Sequence, residues 1–219
     1  MCIEWDGITR PECYRDDEIA IRHNLADAAK RYHWAAALEI LADRPDLINA
    51  TRLNGQSFYT PLHQAVHGNA PLDVVKQMIA IGSWRSLRTA NGERALDIAR
   101  RKKHQHLFDL LQPVVRTLVP SKTIRRMQSY FHAIIHERAG NLVMKYSLRL
   151  PDLEVLLELE QPEMWFPVPG MYGGFRFRLE DQGKNTKLIS ESWCRVVGGS
   201  GQRHEITSKG STLTNKGFV

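Results

Sequence analysis

The sequence predicts a multidomain chain of mixed class, in which a short stack of helical repeats is followed by an α+β domain with an antiparallel sheet. Three observations predict it: a similarity recurring at a spacing in the thirties, its disappearance after Pro113, and alternating apolar and polar residues in the last third. The divisions that follow are an N-terminal arm at 1–18, repeats at 19–113, a connector at 114–120 and an α+β domain at 121–219.

The repeat appears when residues 25–41, 61–79 and 94–111 are set beneath one another. Each opens on Leu-x-x-Ala, breaks at a short polar stretch and closes on paired apolar residues. The matched alanines are Ala28, Ala65 and Ala99, 37 and then 34 positions apart. Within each copy the second helix carries its apolar residues three and four apart, as Val74, Val75, Met78 and Ile79 or as Leu107, Phe108, Leu110 and Leu111. Neither short helix can bury its face alone, so the copies must stack.

Thr60-Pro61-Leu62-His63-x-Ala65 carries a Pro at the first helical turn, where a missing N–H costs nothing, and a Thr placed to cap that turn. Gly82 stands where a left-handed C-cap is needed. This stretch resembles the signature of ankyrin repeats. The third copy, 91–99, resembles the form that closes such stacks, and the first, around Asn24 to Ala28, is degenerate. The resemblance implies a protein-recognition role without chemistry of its own, and gives His63 to the repeat's internal hydrogen bonding.

In such a stack the inter-repeat loops project from one edge, which gathers Arg52, Phe58, Tyr59, Trp84, Arg85 and Arg88 as candidate partner-binding residues. Aromatic and arginine side chains are common interface anchors. Alternatively, Phe58 and Tyr59 fold back to cover the stack.

After Pro113 the expected elements are an amphipathic helix from Ile124 to about Gly140, then strands at 142–148, 174–179, 187–197 and 202–206. The segment 162–174, interrupted by three prolines and three glycines and rich in Trp, Phe, Met and Tyr, is expected to be irregular and either to plug the sheet or to line a pocket. Gly199-Ser200 is expected to be a two-residue turn, pairing Arg195 with His204 and Cys194 with Glu205. That register puts Glu191, Trp193, Arg195 and His204 on one face. Glu191, Arg195 and His204 are therefore the catalytic candidates, with a surface ion pair as the alternative reading. The same register sends Cys194 and His204 to opposite faces, against a nucleophilic pair.

The chain's 219 residues carry a formal charge of +6. Residues 85–126 hold eleven basic against three acidic side chains, so the excess is local. No nucleic-acid module accompanies it, and an acidic face of a protein partner fits better than nucleic acid. Three scattered cysteines suggest a reducing, cytoplasmic setting without metal or disulfide framework, and neither a membrane span nor a cofactor motif is evident. The expected function is non-enzymatic protein binding, of the stoichiometric inhibitor or immunity type. The alternative is a small enzyme or ligand-binding module in the second half, delivered by the stack.

Overall fold

A computed structural model of the chain describes residues 3–181, 183–195 and 199–217. It divides into two compact units, a helical unit of residues 9–114 and a sheet unit formed by residues 1–8 together with 115–219. The arm expected at 1–18 is not one object: Ile3–Glu4 forms strand β1 of the sheet unit, and Asp16 opens the first helix of the other.

The helical unit comprises α1 (Asp16–Lys30), α2 (Trp34–Asp43), α3 (Pro61–His67), α4 (Leu72–Ile81) and α5 (Ala95–Lys102), with a short 3-10 turn at Gln105–Leu107. Helix α3 packs between α1 and α5, and α2 packs on α4. The three aligned segments share one backbone detail. At each matched alanine a helix stops in the same way, with Tyr32, Asn69 and Lys103 in the left-handed region at φ 63°, 55° and 62°. The next N–H then donates back to the alanine carbonyl: His33 to Ala28, Ala70 to Ala65 and His104 to Ala99, each at 2.9 Å. This six-to-one bond satisfies a carbonyl that a helix end would otherwise leave open.

Thr60 caps α3. Its N–H and hydroxyl point to Nδ1 of the buried His63 at 3.3 and 2.8 Å, which leaves the imidazole Nε2–H to donate to the Leu87 carbonyl at 3.2 Å. One side chain thus ties a helix start to the following loop. Asn49 does the same elsewhere, donating to the Gly82 carbonyl and accepting from the Trp84 N–H, both at 3.0 Å. Gly82 ends α4 at φ 121°, a conformation that side chains rarely adopt. Between the helices lies a continuous core that includes Leu41, Leu62, Ala65, Val75, Met78, Ile98 and Leu107.

The sheet unit has a long helix, α6 (Ser121–Lys145), and strands β2 (Glu163–Val168), β3 (Gly173–Glu180), β4 (Lys187–Cys194), β5 (Ser200–Thr207) and β6 (Gly210–Gly217). The spatial order is β1 to β6 in sequence, with β1 parallel to β2 and every other pair antiparallel, a mixed α+β arrangement. Helix α6 buries Met127, Phe131, Ile135, Ala139 and Val143 at a strict spacing of four. Phe131 meets Phe177 at 4.9 Å and Phe175 edge-on at 6.2 Å, joining the helix to the sheet.

Four expectations for this half are corrected. Residues 142–145 are the last turn of α6, because Val143 extends the row of four beyond Ala139; Ala139 itself departs from helical geometry at φ −143°, ψ 18°, where the helix was expected to end. Residues 163–168 are a strand despite Pro167. Met164, Phe166 and Val168 alternate inward, and β1 pairs only with Met164 and Trp165, so no ladder bond from Pro167 is missed on that side. The aromatic-rich stretch therefore supplies core residues, while Tyr172 stays exposed. Strand β6 was not anticipated.

The last correction concerns register. Cys194 pairs with Ser200, Glu191 with Arg203 and Ser190 with His204, five positions away from the expected pairing. Ser200 lies in β5, not in a two-residue turn, and Gly198 falls outside the described residues. An odd shift exchanges the faces of a strand. His204 and Cys194 consequently share the helix-facing side, whereas Glu191 and Trp193 face away from it.

Candidate partner-binding site

The face proposed from the catalytic candidates does not exist. Glu191 lies on the outer side of the sheet, where it accepts from Arg178 and Arg203, each at 3.4 Å. His204 is on the opposite side, opposite Ser190, and Arg195 lies exposed just past the end of β4. The outer side is a ladder of cross-strand ion pairs completed by Arg176 to Glu163 at 2.7 Å and Lys187 to Glu205 at 3.1 Å. Trp165 and Trp193 stack at 4.7 Å beside them, over Gly174, where a Cβ would meet the Trp165 ring at 2.9 Å.

In the helical unit the left-handed turn after α1 carries an aromatic residue where the other copies have Asn69 and Lys103. Tyr32 therefore projects from the turn, 42% exposed, and lies across Gly68 at the end of α3, where a Cβ would come within 2.4 Å of its ring. Its ring centroid is 5.5 Å from Trp34 and 6.4 Å from His67, and its hydroxyl lies 2.9 Å from His67 Nδ1. Tyr59 approaches the same imidazole edge-on at 6.0 Å. Tyr32, Trp34, Tyr59 and His67 make up one half-exposed cluster contributed by residues 32–34 and 59–67.

Helix α5 supplies its rim. Burial lowers the His67 pKa, and the positive charges of Lys102 and Arg101 lower it further. The ring is thus held neutral, with Nδ1 free to accept the Tyr32 hydroxyl. Arg101 pairs with Glu93 at 2.8 Å. The aromatic centre is consequently bordered by Lys102 and Arg101 with Glu93 as the opposing charge.

Of the six loop residues, all half-buried, Tyr59 joins this cluster. Arg52 pairs with Asp27 and, with Tyr59, lines an adjoining cleft of about 110 Å³ that Arg22, Lys30 and Gln64 also border. Phe58 sits in the left-handed region at φ 53°. Trp84 is anchored through its backbone to Asn49, Arg85 donates to the Gln112 carbonyl at 3.1 Å, and Arg88 donates to Gly92 at 2.7 Å. These last three line neither the cleft nor the cluster. The residues that sequence reasoning missed are Tyr32, Trp34 and His67. The signal available was the aligned copies, which place Tyr32 four residues after the matched alanine, at a position better suited to Asn or Gly.

The basic residues of segment 85–126 divide between the two units, seven up to Lys103 in the helical unit and four from Arg116 in the sheet unit. Among the described residues no cluster of His, Cys, Asp and Glu is placed to hold a metal, and no helix is long and apolar enough to cross a membrane.

No protein-family model matches the chain, and no curated protein does. Among solved structures it is similar to a chain of the one described as "Bd0816 Predatory Endopeptidase from Bdellovibrio bacteriovorus in complex with immunity protein Bd3460". The similarity is 22% in identity over 56% of this chain and 67% of that one, with a TM-score of 0.33.

Proposed function

We propose that the helical unit is an ankyrin-like stack whose role is non-enzymatic binding of an acidic protein partner, and that Tyr32, Trp34, Tyr59 and His67 form the centre of its contact surface. The observation that carries this reading is the aromatic cluster, because Tyr and Trp half-buried beside arginine are the side chains that dominate binding energy at protein interfaces. The ankyrin-like assignment is supported by the recurring left-handed turns and by the Thr60–His63 cap that bonds onward to Leu87. The basic rim supports an acidic partner. Tyr32→Ala with Trp34→Ala is expected to abolish capture of the partner while circular dichroism stays that of the parent. Undiminished capture by that folded variant removes the proposal.

A further inference from the structure

Polar groups gather where the core of the sheet unit should be apolar. The side of the sheet facing α6 is built from Met164, Phe166, Phe175, Phe177 and Leu179 on β2 and β3. On β4 and β5 it turns to Ser190, Ser192, Ser200 and His204. Arg138 of α6, half-buried, reaches them: Nε donates to Ser192 Oγ at 3.2 Å, Nη1 to Ser200 Oγ at 3.2 Å and Nη2 to the Ser200 carbonyl at 3.1 Å. All three acceptors are neutral. No described carboxylate is within 4.0 Å of this guanidinium, unlike those of Arg116, Arg125, Arg176, Arg178 and Arg203.

Two further groups remain unsatisfied. Ser190 Oγ and His204 Nδ1 belong to residues directly opposite one another on β4 and β5, and both atoms are buried without a hydrogen-bond partner. His204 is only 8% exposed; burial lowers its pKa, with Glu137 acting to raise it and Arg138 to lower it. Unpaired buried polar atoms are uncommon in folded proteins, and a partly buried cation with no counter-charge is costly. Arg138 also borders an open hollow of about 600 Å³ at the break in α6 at Ala139, lined by residues of α6, among them His136, Glu137, Gly140 and Asn141.

We propose that Arg138 is the centre of an oxyanion-binding site, taking a phosphate or carboxylate group through the hollow beside Ala139. Three of the five guanidinium N–H groups are committed to serine oxygens, which fixes the plane of the fork and leaves two for the ligand. The two spare N–H groups lie one on each terminal nitrogen, and a charge-assisted bond from either to an anionic oxygen is stronger than one to a neutral hydroxyl. Glu137 stands on the same wall, and its charge opposes the ligand.

The probe is inorganic phosphate, titrated into the full chain by calorimetry at constant ionic strength, with acetate and chloride alongside. Phosphate is expected to bind, Arg138→Gln to weaken it by about tenfold or more, and Glu137→Gln to tighten it. Preference for phosphate over acetate assigns the natural ligand to phosphoryl groups; equal binding assigns it to carboxylates. Absence of binding, or equal binding by a folded Arg138→Gln, overturns the site. Should Arg138→Gln fail to fold, Glu137→Gln decides: tighter binding upholds the proposal and unchanged or weaker binding overturns it. This outcome is independent of partner capture by the helical unit.

Discussion

Gly68 and Tyr32 are coupled in a way that a double-mutant cycle resolves. Gly68 caps α3 at φ −85°, ψ 7°, a conformation open to alanine, so on backbone grounds Gly68→Ala stabilises by about 0.4–1 kcal/mol. The added Cβ, however, falls 2.4 to 2.9 Å from three atoms of the Tyr32 ring. The ring must swing out, giving up its hydroxyl contact with His67 and its approach to Trp34. A hydrogen bond of this kind contributes about 0.5–1.5 kcal/mol and an aromatic pair a similar amount, so the displacement costs about 1–3 kcal/mol. Gly68→Ala is therefore expected to destabilise the helical unit by about 1–2 kcal/mol and to weaken partner binding. In a Tyr32→Ala background the clash is gone, and the same substitution should be neutral or stabilising by about 0.5–1 kcal/mol. Urea denaturation followed by fluorescence measures both legs. Equal destabilisation in the two backgrounds would show that Tyr32 does not rest on Gly68 and would refute the assembly of the cluster.

Further outcomes follow from the same geometry. His67, His132 and His204 all have lowered pKa values, chiefly through burial, so the unfolded chain binds more protons than the folded one as pH falls below the ordinary histidine value of about 6.5. Their contribution is complete above that value and is lost as pH falls through the folded pKa values; thermal midpoints should drop on acidification from pH 7, and midpoints flat to pH 5 would contradict neutral buried rings. Phe131→Ala, which removes a buried ring wedged against Phe175 and Phe177, should cost about 3–5 kcal/mol in urea unfolding of the sheet unit. Glu191→Gln should cost about 1–2 kcal/mol, because it leaves both Arg178 and Arg203 without this carboxylate; a loss no larger than that for an exposed carboxylate would place Glu191 elsewhere than the centre of the ladder.

The parts of the fold legible in the sequence were those encoded by local chemistry. The alanine spacing located three equivalent turns, and Thr60-Pro61 located the start of α3, since caps and close-packed small residues act within a few positions. Phe175, Phe177 and Leu179 announced β3 for the same reason. What depended on distant partners was hidden. Pro167 signals a break unless it is known that β1 ends beside Trp165. Residues 142–145 have strand-like composition and become helix only because Val143 continues a buried row on α6. The hairpin register turned on loop length, and its odd error moved His204 away from Glu191 and beside Ser190. The candidate site was half legible: Tyr59 was marked by its loop, but Tyr32 and Trp34 come from the preceding segment and join it and His67 only through packing.

Binding by the aromatic cluster is tested most directly by quantitative affinity capture from the native host, with the parent chain and the Tyr32→Ala, Trp34→Ala variant used side by side at matched folded concentration. The parent should retain a partner in near-stoichiometric amount, and the variant should lose it by about tenfold or more, as expected for two central anchors. Retention of the same partner in equal amount by both chains would contradict the assignment of this surface.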